Sequence, residues 1–171
     1  MIIKFADKTP RVAPTAFIAD NAVLVGDVEI GDETSIWFGA VLRADFAPIK
    51  IGRKCNIQDN VVVHADSRDA GLVIDDEVTV GHSAILHGAH IGRGCLIGMG
   101  VILLSGSVIG AGSMIAAGSV VRENDRIPAY SLAAGNPAMV KKAIEGNAAR
   151  WTETAAQDYA DLARRYRSPT V

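Results

Sequence analysis

A chain of 171 residues, 49% hydrophobic and 21% charged, is long enough to bury one core and too apolar to stay unfolded. Its formal net charge of -2 excludes the basic face that nucleic acid requires, and without a run of about eighteen apolar residues no membrane partner is expected. The N-terminus lacks the apolar core of a signal peptide and two cysteines make no disulfide framework, so a cytoplasmic protein is expected.

From Ile18 onward an aliphatic residue returns every six positions, at Leu24, Ile30, Ile36 and Leu42. The series resumes at Ile51, Ile57 and Val63, then at Ile74, Val80 and Leu86, and runs again from Ile91 through Ile97, Leu103, Ile109, Ile115, Val121 and Ile127. Four places after most of these anchors stands a compact residue, such as Ala22, Ala40, Cys55, Ala84, Cys95 or Ser113. A period of six fits neither the helical 3.6 nor the strict alternation of a long strand. It fits a short strand and a corner, with the anchor always pointing inward. Three such segments close a triangular coil, and coils stack at the ~4.8 Å spacing of paired strands. The expected fold is an all-β solenoid. Cys55 and Cys95 fall on inward positions two coils apart, beyond disulfide reach, and are expected in the core.

The repeat resembles that of the hexapeptide proteins over roughly Ile18 to Ala133, and this resemblance implies a left-handed parallel β-helix. General crossover preference alone would predict the opposite hand. The pattern is interrupted by three extra residues near Phe46-Ala47-Pro48 and five near Ser67 to Gly71, both expected to bulge from corners. One residue is missing between Leu86 and Ile91, which predicts a tightened turn.

The division expected is a β-helix domain with the metal site over 1–137 and a C-terminal helical segment packed on it over 138–171. Ala134-Gly135-Asn136-Pro137-Ala138 ends the repeat with turn residues. A short helical piece is expected to follow through Ile144. A firmer α-helix is predicted further on, with Thr154 and Gln157 as its capping box. Ala155, Tyr159, Leu162, Ala163 and Tyr166 would share its packing face.

The four histidines lie between Ile57 and Ile91. Counting anchors puts Arg43, His64, His87 and Leu104 in one column, so His64 and His87 are stacked neighbours although they lie 23 positions apart. His82 belongs to another column, Phe38, Asp59, His82 and Met99, on an adjacent side. A neighbouring subunit could bring it to the other two, and a trimer with parallel axes would do so. Three imidazoles with one open position describe a catalytic zinc site, where bound water loses a proton near neutral pH. Iron or cobalt would suit the same three nitrogens. His90 sits at the tightened turn and is expected to be exposed.

Arg43-x-Asp45, Gln58-Asp59 with His64 five residues after Asp59, and His82-x4-His87 together resemble the γ-class carbonic anhydrases and their bacterial relatives. The resemblance implies His64 and His87 as zinc ligands from one subunit and His82 from the next, in a homotrimer acting on carbon dioxide and bicarbonate. It implies that Gln58 hydrogen-bonds the water or bicarbonate at the metal. Arg43 and Asp59 would pair across the interface, supported by Asp45, and Tyr159 would approach the metal from the C-terminal helix. Where that pattern carries two catalytic glutamates, this chain has Phe46 and Ser67. The function expected is zinc-dependent reversible hydration of carbon dioxide. The alternatives are metal-assisted acyl-CoA thioester hydrolysis or acyl transfer, and a metal-binding homologue without turnover.

Overall fold

The computed structural model describes residues 1–66 and 71–167, so Ser67 and most of the second insertion lie outside the described residues. The repeat builds a parallel β-solenoid of about 7 turns with a helix at its C-terminal end.

Three faces share the strands. The first runs from Phe17–Ile18 through Ser35–Ile36, Asn56–Ile57, Thr79–Val80, Leu96–Ile97 and Met114–Ile115 to Ser131–Gly135. The second carries Val62–His64, Ile85–His87, Ile102–Leu103 and Val120–Val121. The third carries Leu72–Ile74, His90–Ile91, Val108–Ile109 and Arg126–Ile127. Two long strands, Val23–Ile30 and Val41–Ile51, turn from the second face into the third without a break. The anchors behave as their period predicts: Leu24, Leu42, Val63, Leu86, Leu103 and Val121 stack in register inside the coil and are buried. Burying each such side chain is worth about 1.5–3 kcal/mol, and the anchors of the other two faces and the compact residues fill the rest of the interior.

The corners decide why the coils close. Glu33, Lys54, Glu77, Gly94, Gly112 and Tyr130 form one corner column and all have left-handed backbone. Four of these six carry side chains, for which that conformation costs roughly 1–2 kcal/mol each. Each corner N–H from Lys54 downward donates to a carbonyl one coil above, as from Lys54 to Asp32 at 2.8 Å and from Tyr130 to Ala111 at 2.9 Å. That repeated bond offsets the strain. A glycine after the anchor serves a different need: a Cβ at Gly110 would lie 2.3 Å from the Ala129 nitrogen, so a side chain there would push two coils apart.

The three extra residues near Phe46 do not leave a corner as a loop. They lie within Val41–Ile51 as a bulge, because Gly26 pairs with Ala44 while Val28 pairs with Ile49. The turn expected between Leu86 and Ile91 is there, with Gly88 in left-handed backbone.

Two expectations at the C-terminus are corrected. The segment Ala138–Ala143 is a strand, not a helical piece, and it returns antiparallel beside Ser131–Gly135 after the Asn136-Pro137 turn. It covers the last parallel strand of the first face, and exposed Lys141 and Lys142 guard the new edge against further pairing. The helix runs Gly146–Arg167, which places Thr154 and Gln157 inside it and not at its cap. Arg164, Arg165 and Arg167 lie in its last turn, where their charge suits the helix dipole, and Arg167 donates to the carbonyls of Pro14 and Thr15.

The helix lies along the first face. Its fully buried stripe is Ala156, Ala160 and Ala163, at the spacing of one helical face. Tyr159 and Tyr166 flank it, with ring centroids 5.5 and 5.3 Å from that of Trp37. Trp37 is 4% exposed and donates its Nε1–H to Ser35 Oγ at 3.0 Å.

Cys55 and Cys95 are buried and free, as expected. Burial pushes their thiols up to about 12 and about 11, so almost no thiolate exists at pH 8. The folded protein is expected to leave both unlabelled by a thiol reagent at that pH, and unfolding should release two thiols per chain. Labelling at the rate of a small-molecule thiol in the folded state would contradict this burial.

Candidate metal centre

Arg43, His64 and His87 lie side by side in register on three adjacent strands of the second face, as the column count predicts. His64 Nδ1 and His87 Nε2 face each other at 3.3 Å. Each ring is held at its other nitrogen, His64 Nε2 by Asp45 Oδ1 at 3.0 Å and His87 Nδ1 by Ser105 Oγ at 2.8 Å. A neutral His64 that donates Nε2–H to Asp45 carries its lone pair on Nδ1, toward His87. Such outer contacts orient metal-ligating histidines. The donor set suits a tetrahedral ion, which at about 2.0–2.1 Å from each nitrogen sets its ligands about 3.3–3.4 Å apart.

The bulge in Val41–Ile51 supplies Asp45. Partial burial pushes its carboxyl up, but hydrogen bonds from Arg43 and His64 outweigh this and hold it below the usual carboxylate range. The next residue, Phe46, is 66% exposed, and its ring stands edge-on to His64 with centroids 5.9 Å apart.

His82 is not part of this pair. It sits at the corner before left-handed Ser83, and its Nδ1 lies 2.9 Å from Asp59 Oδ2. Among the described residues no group of three His, Cys, Asp or Glu side chains could hold a metal ion. One chain therefore brings two of the three expected ligands together. Arg43 bonds Asp45 and Asp59 bonds His82 in the same chain, so the expected Arg43–Asp59 pair is not an intrachain contact. His90 is exposed, 3.2 Å from Asp75 Oδ1.

Gln58 is buried and fixed at both ends of its amide. Its Nε2 donates to Asn56 Oδ1 at 3.1 Å, and its Oε1 accepts the His82 backbone N–H at 3.2 Å. Asn56 passes the chain on through Nδ2 to Thr79 Oγ1 at 2.8 Å. Burial, and behind it the charge of Asp59, raise the Tyr159 hydroxyl above its ordinary pKa. Asn56, Thr79 and Ser105 are site residues that sequence reasoning missed. For Asn56 and Thr79 a signal existed, since both are polar residues directly before aliphatic anchors.

The outward side of the second face is unusual. Val23, Val41, Val62, Ile85, Ile102 and Val120 form one ladder of six aliphatic rungs in register, and its second to fourth rungs, Val41, Val62 and Ile85, each stand two residues before Arg43, His64 and His87. The matching ladder on the third face reads Glu29, Lys50, Val73, His90, Val108 and Arg126.

Known proteins agree with this architecture. Residues 88–123 match the bacterial transferase hexapeptide (six repeats) family. A carbonic anhydrase of Geobacillus kaustophilus is 45% identical over 98% of this chain and 92% of its own. The mitochondrial gamma carbonic anhydrase 1 of Arabidopsis thaliana is 42% identical over 92% of this chain and 59% of that protein. A Bacillus cereus crystal structure, named as that of a "putative acetyltransferase", superposes with a TM-score of 0.96 at 40% identity, covering 99% and 98% of the two chains. Among the described residues no helix is long and apolar enough to cross a membrane. Solenoid, histidine pair and a relative matched over nearly its whole length together place the chain in the γ-carbonic anhydrase-like family of hexapeptide-repeat proteins.

Proposed function

We propose that the protein is a zinc-dependent homotrimer that reversibly hydrates carbon dioxide, with His64 and His87 of one subunit and His82 of the next as metal ligands. The observation that carries this reading is the 3.3 Å approach of two imidazole nitrogens, each ring held from outside, with no third donor in the chain among the described residues. Zinc bound there would supply a water acidic enough to lose its proton near neutral pH. The chain's own residues do the rest. Asp45 and Ser105 fix the two rings, Gln58 fixes the corner that carries His82, and Asp59 orients the His82 ring.

The aliphatic ladder supports the trimer. Six rungs of exposed or half-buried valine and isoleucine make a face that water does not favour, and its second to fourth rungs run beside Arg43, His64 and His87, where a third ligand is wanted. Ile85→Lys would put a charge in its middle. We expect sedimentation to show that variant as a species near 18.0 kDa in place of one three times heavier. An intact trimer would move the interface to another face.

Metal-assisted thioester hydrolysis or acyl transfer is the second reading, supported by the acetyltransferase description of the Bacillus cereus structure. One experiment separates the two: metal content per chain, with carbon dioxide hydration and acyl-CoA hydrolysis assayed on the same sample. One ion per chain and hydration lost on chelation is the result expected. Metal with thioester cleavage alone would favour the second reading, and metal without either activity a binding protein. No metal after incubation with zinc would overturn the site.

A further inference from the structure

Resting on the function just proposed, we propose that Phe46 is the apolar wall of the substrate site and determines its preference for an uncharged substrate over small anions. The bulge that brings Asp45 to His64 has a definite in-and-out order. Ala44 and Ala47 are buried, Asp45 is half-buried, and Phe46 alone points fully outward. The Phe46 phenyl ring is 66% exposed, on the outer surface of the bulge. Its ring meets that of His64, whose Nδ1 faces His87 Nε2 at 3.3 Å.

The chemistry follows from charge. Carbon dioxide is linear, uncharged and weakly hydrated, whereas bicarbonate and the small anions that compete for a metal carry a hydration shell. An apolar surface beside the ion offers the uncharged molecule a dry contact and forces an anion to shed water without a compensating hydrogen bond. The column carrying His82 is similar in character, with exposed Phe38 and Met99 on either side of Asp59 and His82. A site shared between two copies would therefore have apolar side chains on both sides.

The test compares the wild type with Phe46→Ser and Phe46→Leu, all loaded with cobalt(II), titrating azide by visible absorption and measuring KM and kcat for carbon dioxide. Phe46→Ser is expected to keep one metal per chain and the trimer, to bind azide about fivefold more tightly, and to raise KM several-fold with little change in kcat. Phe46→Leu should return both quantities to near wild type. Equal azide affinity in all three proteins would overturn the inference. So would loss of metal or of the trimer in Phe46→Ser, which would make Phe46 a structural contact of the subunits. The azide difference in a protein without hydration would support the wall and sink the hydration reading alone. A wild type that takes up no metal would sink both.

Discussion

His82→Ala is expected to lose bound metal as completely as His64→Ala, although the two residues do not meet within a chain. His64 and His87 offer two nitrogens 3.3 Å apart. Two imidazoles hold zinc far more weakly than three, and dialysis at neutral pH removes an ion so held. A site completed by a neighbour has a further signature. Unfolding the two variants together and refolding the mixture should restore metal to about one site in four, because a ring of three re-forms a site only where an intact His64 faces an intact His82. Elemental analysis of the refolded mixture reads this directly. Full metal retention in His82→Ala would end the shared-site reading, whereas loss without rescue on mixing would leave His82 acting within its own chain, through Asp59.

Trp37→Ala should lower stability by about 3–5 kcal/mol, the usual cost of removing a buried aromatic ring. Trp37 is buried between the solenoid corner and the helix. It packs against Tyr159 at 5.5 Å, Tyr166 at 5.3 Å and Phe17 at 5.1 Å, and its indole N–H is satisfied by Ser35. Alanine would leave a cavity under the helix, whose other buried contacts there are alanines. Urea unfolding followed by circular dichroism tests this, and Trp37→Phe should recover part of the loss. An unchanged midpoint would mean that the helix is held elsewhere, for instance by Arg167 on the Pro14 and Thr15 carbonyls.

The solenoid and its histidine pair were legible because a six-residue period fixes which side chains face inward and which coils are neighbours. Arg43, His64 and His87 stand in register as that count requires. What escaped it depended on the irregular coils. A bulge and a shortened turn each displace side chains by amounts that phase alone does not give, which is why the Asp45–His64 and Ser105–His87 bonds were not foreseen. At the C-terminus, the stretch Met139-Val140-Lys141-Lys142 fits a helix or an edge strand equally well until its partner is known. Thr154 and Gln157 match a capping box by spacing, but no proline or glycine after Gly146 stops the stretch before them from being helical as well. The placement of Phe46 beside His64 was invisible for the same reason as that of Asp45.

The coils fall into two kinds. From Leu96 to Met114, from Ile102 to Val120 and from Val108 to Arg126, paired residues are each eighteen positions apart. Higher up, the step from Leu42 to Val63 is twenty-one and that from Val63 to Leu86 is twenty-three. The histidine chemistry thus belongs to the uneven part, and the even part below acts as a plinth. A coil touches mainly its neighbours, so the histidine coils do not depend on the height of that plinth. The C-terminal helix, which begins below it and packs back on Trp37, Pro14 and Thr15, does depend on it. A tandem copy of residues 101–118 would make the molecule one storey taller and lengthen the aliphatic ladder by a rung, while His64, His82 and His87 kept their positions.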